Sequence, residues 1–123
     1  MRNYEHMIYP SYKICLNAEA FTSRLSLPTV VTEISADQIN IRSARAILPR
    51  TPIAIFFKLN HEIVLRGNVT WVMDLYDEDG NQFYQTGIKT DTILHQNIKA
   101  VGLAEKSRLL QEILYQIIER SNN

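Results

Sequence analysis

The sequence predicts a mainly β fold, a small six-stranded antiparallel β-barrel followed by a C-terminal amphipathic α-helix. Two observations carry this prediction. Apolar and polar residues alternate in six segments separated by turn formers, as in strands with one buried face. Near the C-terminus the apolar spacing changes to the helical period. One domain is expected over residues 1–123, with a leader at 1–11, the barrel at 12–90 and the helix at 103–120.

The first three strands are expected close to the N-terminus. Residues 12–19 alternate between apolar and polar side chains, which is typical of a half-buried strand. Residues 29–34 form a β-branched run and predict the second strand. Residues 35–37 are short turn formers that lead into a third alternating segment at 39–42. The second and third strands therefore predict a tight hairpin.

The fourth and fifth strands are predicted as a second hairpin. Residues 53–59 place alternate apolar side chains on one face, and residues 60–62 suit a three-residue loop. The fifth strand, 63–73, is the longest. Gly67 in its middle predicts a bulge or a close approach of another backbone, because glycine contributes no side chain to the sheet.

The sixth strand and the helix complete the predicted domain. An acidic turn at 77–81 precedes residues 83–90, which are expected to close the sheet. The helix begins near Leu103, after a glycine. Its apolar stripe fits two roles, packing on the barrel or forming a homodimer or partner interface. The candidate interface residues are Leu110, Ile113, Leu114, Ile117 and Ile118.

Composition excludes several classes of protein. Hydrophobic residues make up 46% of the 123 residues, enough for one globular core. Thirteen Lys and Arg balance thirteen Asp and Glu, which argues against binding to nucleic acid or to an anionic membrane. A lone cysteine forms no internal disulfide, and no segment has the pattern of a signal peptide or a membrane span. We therefore expect a cytoplasmic protein with no membrane insertion.

Catalytic and metal-binding patterns are absent from the sequence. There is no Gly-x-Ser-x-Gly elbow and no glycine-rich phosphate loop, so we expect no enzyme activity. The acidic stretch 74–81 lacks the spacing of an EF-hand. The three histidines lie far apart without zinc-ligand spacing, so no metal site is expected.

Two segments resemble the PilZ family of small bacterial β-barrels. Residues 66–72 read Arg-Gly-Asn-Val-Thr-Trp-Val, similar to the Arg-Gly-x-Val-x-Trp strand of that family, and Gly87 with Ile88 matches its closing strand. The resemblance runs from about residue 13 to residue 88, and PilZ barrels are typically followed by one helix. It implies a non-catalytic role in bacterial signalling by cyclic di-GMP, such as the control of motility, pili or adhesion.

The resemblance also implies where the dinucleotide would bind. PilZ domains grip cyclic di-GMP with an Arg-x-x-x-Arg stretch before the first strand and an Asp-x-Ser-x-x-Gly turn between the second and third. Here residues 9–13 read Tyr-Pro-Ser-Tyr-Lys, and residues 33–38 read Glu-Ile-Ser-Ala-Asp-Gln. Residues 9–13 therefore contain neither of the two arginines. Each charge-assisted bond to a phosphate that is lost in this way weakens binding by about 1.5–3 kcal/mol. The matching positions are Lys13, Glu33, Ser35 and Gln38.

These observations predict an adaptor or regulator that acts through a protein partner, with weak or no nucleotide binding and no other cofactor. The alternative is a true cyclic di-GMP receptor with an atypical motif, in which Arg42, just beyond the turn, joins Lys13 and Ser35. A third hypothesis, a nucleic-acid-binding barrel, is disfavoured by the balanced charge.

Overall fold

A computed structural model describes residues 10–121 of the chain. The expected leader, residues 1–11, therefore lies almost wholly outside the described residues. The described part contains seven strands and one helix. The elements are β1 (Tyr12–Phe21), β2 (Ser26–Ile34), β3 (Gln38–Ser43), β4 (Pro52–Lys58), β5 (Glu62–Tyr76), β6 (Gln82–His95), β7 (Ile98–Ala100) and α1 (Leu103–Ser121).

Six of the strands close into a ring. The sheet order is β3-β2-β1-β4-β5-β6-β7, and β3 also pairs with β6, so that β1 to β6 return upon themselves. All pairings are antiparallel. The predicted mainly β class with a C-terminal helix is confirmed. The two predicted hairpins, β2–β3 and β4–β5, are confirmed as well.

The sequence did not predict the end of the sheet. β6 continues to His95, five residues past the expected end, and turns into the short strand β7. In the turn Gln96 has a φ of 59°. This left-handed conformation is usually adopted by glycine or asparagine, and those residues are the ones that predict such a turn from sequence. Because Gln96 is not a typical turn residue, the β6–β7 hairpin gave no recognisable signal.

The backbones of β5 and β6 lie close together at Gly67. The register of the two strands shifts between Arg66 and Gly67, and a β-carbon at position 67 would overlap the backbone carbonyl oxygen of Lys89. The predicted bulge and close backbone approach are both confirmed. Only glycine at position 67 allows the two backbones to lie this close without a shift of β6.

The helix covers one end of the ring. Glu105 accepts a hydrogen bond from the backbone N–H of Gly102 (3.1 Å) at the start of α1. Near the other end of the helix, Gln116 accepts one from the N–H of Asn60 in the β4–β5 loop (3.3 Å), and Arg120 donates to the carbonyl oxygen of Lys58 (3.3 Å). The helix therefore lies between β6, where Lys106 donates to the carbonyl oxygen of Thr90 (2.7 Å), and the β4–β5 hairpin. No helix among the described residues has an apolar stretch long enough to cross a membrane.

The apolar stripe of α1 belongs to the protein's own core. Leu110, Ile113 and Leu114 are buried in one cluster with the inward side chains of the strands, and Ile117 packs against that cluster. Of the five candidate interface residues, Ile118 alone is largely exposed, at 59%. The stripe is thus used to close the ring, because an open barrel end would leave the core in contact with water.

Candidate functional site

The turn between β2 and β3 is held together by Ser35. Its backbone N–H donates to the carbonyl oxygen of Gln38 (2.8 Å), and its hydroxyl accepts from the N–H of Gln38 (3.1 Å) and donates to Asp37 (3.1 Å). The carbonyl oxygen of Asp37 accepts from the N–H of Thr90 in β6 (2.8 Å). Ser35 is buried, and its hydroxyl is used to build the turn.

Gln38 occupies the position at which the PilZ pattern has glycine. Among the described residues other than glycine, positive φ occurs at Arg50 and Gln96, so Gln38 has an ordinary backbone conformation. It begins β3, and its exposed side chain donates to the amide oxygen of Asn40 (3.4 Å). This side chain lies on the outer surface, where the resemblance implies a bare backbone.

Lys13 and Glu33 face each other across β1 and β2. The half-buried carboxylate of Glu33 accepts hydrogen bonds from the hydroxyl of Ser11 (2.5 Å) and from the amide of Asn40 (3.3 Å). The register thus brings Lys13, Glu33 and the Ser35–Gln38 turn to one end of the ring. The carboxylate of Glu33 faces Lys13 and weakens the field with which that lysine would attract a phosphate, and a second exposed lysine, Lys89, pairs with Gln38.

Arg42 lies further along the outer face of β3. It is four residues beyond Gln38, or about 13 Å at the usual rise of a strand, and two residues beyond Asn40, which pairs with Glu33. Its guanidinium carbon lies 3.7 Å from the centre of the Phe83 ring, a cation–π contact. The structure therefore brings Lys13, Glu33, Ser35 and Gln38 to one end of the ring and places Arg42 further along β3, in contact with Phe83.

Arg42 instead borders a shallow cavity of about 560 Å³ on the outside of the ring. Its lining is mostly apolar and includes Phe56 and Phe83, with Lys58 and Glu19 as further charged groups. The sequence analysis did not single out Phe56, Lys58 or Phe83. In the observed register Arg42 faces Gln85, which puts Phe83 near Arg42. The sequence could not predict this contact, because no local pattern indicates that β3 pairs with β6.

The residues that carry the PilZ resemblance are packing positions. Gly67 meets the backbone of Lys89, and Gly87 lies beneath the indole of Trp71, which faces it across β5 and β6. Thr70 donates a hydrogen bond to the carbonyl oxygen of Gly87 (3.1 Å). These residues determine how closely β5 and β6 pack against each other, so their similarity to the family pattern reflects the fold and not a binding site.

Two histidines lie next to each other at the helix end of the ring. His61 and His95 meet edge to face, with ring centres 5.8 Å apart. His95 is buried, and neither of its ring nitrogens has a hydrogen-bond partner in the described part of the chain. No group of three His, Cys, Asp or Glu side chains within residues 10–121 could hold a metal ion.

Comparison with known proteins identifies the fold. No family model matches the chain, and no curated protein is similar to it in sequence. Solved structures with the same architecture include the following two. The Bacillus subtilis inhibitor of motility (MotI/DgrA) matches with a TM-score of 0.55 and 14% identity, over 96% of this chain and 53% of that protein. MrkH of K. pneumonia in its apo state matches with a TM-score of 0.59 and 11% identity, over 98% of this chain and 54% of that protein.

The chain thus spans about half the length of each of these two proteins. At 11% and 14% identity the likeness concerns the fold. It extends over the helix as well as the strands, since nearly the whole of this chain is covered.

Proposed function

We propose that the protein is a non-catalytic PilZ-like regulator in bacterial signalling linked to cyclic di-GMP. In this proposal it acts in the cytoplasm through a protein partner and binds the dinucleotide weakly or not at all. The fold that it shares with the motility inhibitor supports a regulatory role of this kind. The resemblance of residues 66–72 and of Gly87 to the PilZ pattern supports the same family.

The observation that carries the proposal is the state of the Ser35 turn. Its hydroxyl is bound within the turn, and the Glu33 carboxylate is bound by Ser11 and Asn40. Lys13 is the cation paired in register with Glu33. A dinucleotide with two phosphates would meet Lys13 opposite a carboxylate and Lys89 opposite Gln38 here, where the family pattern has two arginines. Losing two charge-assisted bonds costs about 3–6 kcal/mol, which turns micromolar binding into binding with a Kd of about 0.2 mM or weaker.

A second candidate function is a true receptor for cyclic di-GMP that uses a different surface. The contact of Arg42 with Phe83 favours it, because an arginine stacked on an aromatic ring beside a cavity could pair with a phosphate while a base lies against the ring. In this alternative the ligand would lie beside Arg42 and Lys58, away from Ser35.

Calorimetric titration with cyclic di-GMP at near-physiological salt separates the two candidates. The regulator predicts no heat of binding up to about 1 mM nucleotide, which corresponds to binding weaker than about −4 kcal/mol. The receptor predicts a micromolar Kd that Arg42→Ala weakens and Arg24→Ala, at an exposed arginine outside the cavity lining, leaves unchanged.

A further inference from the structure

Part of β5 has a strand on one side only. β4 pairs with β5 as far as Asn68. The two residues just before β4 then bond to Val69 of β5. The N–H of Arg50 donates to the carbonyl oxygen of Val69 (2.7 Å), and the N–H of Val69 donates to the carbonyl oxygen of Thr51 (3.0 Å). Beyond that point, residues 71–76 pair with β6 and with no other described strand. The peptide groups of residues 71–76 that point away from β6 therefore form an open edge.

The side chains along this edge are apolar on one face. Trp71, Met73 and Leu75 pair with Gly87, Gln85 and Phe83 of β6, so they lie on the same side of the sheet. Met73 is 52% exposed, and Tyr76 at the end of the edge is 65% exposed. Proteins usually protect an open edge with lysine, proline or a covering loop. Residues 71–76 contain neither lysine nor proline, which makes the edge suitable for an added strand.

The same hairpin is acidic. Between residues 69 and 86 the chain has four carboxylates and no lysine or arginine, although the whole chain is neutral. At the tip, the N–H of Asn81 lowers the pKa of Asp77, as do the N–H of Asp79 and the nearby Arg42, so this carboxylate keeps its charge. An incoming segment therefore gains from carrying positive charge. The four acidic residues are Asp74, Asp77, Glu78 and Asp79.

We propose that residues 71–76 bind an extended segment of a partner protein in which apolar residues alternate with lysine or arginine. The segment adds to β5 as a further strand, its apolar side chains pack beside Trp71 and Met73, and its cations face Asp74 and the acidic tip. A second copy of this chain is the less suitable occupant, because it would bring two acidic hairpins together. This inference rests on the proposed function in naming the surface through which the regulator holds its partner.

Trp71 makes the proposal testable, because it is the single tryptophan of the chain and lies on the proposed edge. The probe is an end-blocked synthetic peptide of about eight residues, the length of a strand, with alternating Val and Lys. We expect a saturable change in Trp71 fluorescence. We also expect peptide-dependent protection from hydrogen exchange at alternate amides of residues 71–76, since only every second N–H points to the new strand.

Two matched controls separate strand addition from general attraction. Met73→Lys should weaken peptide binding at least about tenfold, because it adds a like charge and removes an apolar contact. Ile118→Lys makes the same kind of change at a similarly exposed residue on α1 and should leave binding unchanged. A peptide with Glu in place of Lys should bind at least about tenfold more weakly. Circular dichroism of both variants establishes that they remain folded.

Three results would overturn the proposal. They are the absence of any fluorescence change, an equal loss of binding in both variants, and protection of residues 71–76 that rises with protein concentration in the absence of peptide. The last result would make a second copy the occupant. The nucleotide titration above is independent of these measurements, so failure of the edge and failure of the proposed function can be told apart.

Discussion

The indole of Trp71 lies on Gly87 across β5 and β6, so close that a β-carbon at position 87 would overlap the ring. The side chain of one strand thus occupies the space that the residue opposite leaves empty. This contact is on the outer face of the ring, at the start of the open edge of β5. It makes the position of Trp71 depend on a glycine sixteen residues away in sequence.

Gly87→Ala is therefore expected to destabilise the protein by about 1–3 kcal/mol, because the new methyl group forces the indole to move. Denaturant unfolding followed by circular dichroism measures this loss. In a Trp71→Ala background the same substitution should cost less than about 0.5 kcal/mol, since the clashing ring is absent. An equal cost in both backgrounds would mean that Gly87 is required for another reason.

Replacing Ile113 tests whether α1 is part of the core. Ile113→Glu places a carboxylate among buried apolar side chains, and we expect it to cost more than about 3 kcal/mol and to unfold much of the protein. Ile118→Glu, on the exposed side of the same helix, should change the free energy of unfolding by less than about 0.5 kcal/mol. If Ile113→Glu leaves the fold intact and changes only the oligomeric state, the helix is an interface instead.

His95 offers a substitution that should stabilise the protein. Its two ring nitrogens are buried without a hydrogen-bond partner among the described residues. His95→Phe keeps an aromatic ring of similar size and removes both polar atoms, so we expect a gain of about 1–2 kcal/mol in the free energy of unfolding. His61→Phe, at the exposed neighbour, serves as the control. A loss of stability in His95→Phe would contradict this prediction.

The acidic turn predicts a pH effect of defined sign. The N–H of Asn81 lowers the pKa of Asp77, helped by the N–H of Asp79 (2.9 Å), so the folded chain binds this proton less readily than the unfolded chain. The stability from this group is therefore present above the pKa of an unfolded aspartate and is lost as the pH falls through the lower, folded value. Carbon-13 NMR of the Asp77 carboxyl should give a pKa below that of an aspartate in an unfolded peptide. Asp77→Asn should remove this part of the acid dependence, and a variant with unchanged acid dependence would contradict it.

Alternation in the sequence predicted the strands well because each strand has one buried face. Ile53, Ile55 and Phe57 all point inward, as the period of two requires. The β6–β7 turn was missed because Gln96 adopts a left-handed conformation with no glycine to mark it. The helix stripe was predicted, but its width did not tell whether it covers the barrel or a partner. That choice depends on the open end of the ring, which is a tertiary feature.

The candidate site was predicted in part for a similar reason. Lys13, Glu33 and Ser35 were matched to a pattern, and strand register brings them together. Arg42 was expected with them because it follows the turn, on the strand that the resemblance places against the ligand. At about 3.3 Å per residue it lies about 13 Å beyond Gln38 but only two residues beyond Asn40, which pairs with Glu33. Its contact with Phe83 depends on the pairing of β3 with β6, which local patterns do not encode.

The most direct test of the central claim compares the protein with a variant in which the family pattern is restored. Tyr9→Arg, Lys13→Arg, Glu33→Asp and Gln38→Gly together restore the Arg-x-x-x-Arg stretch and the Asp-x-Ser-x-x-Gly turn in the sequence. Calorimetric titration with cyclic di-GMP should then show no binding up to about 1 mM for the unmodified protein and a gain of at least about tenfold in affinity for the variant. Micromolar binding by the unmodified protein, or no gain in the variant, would contradict the account.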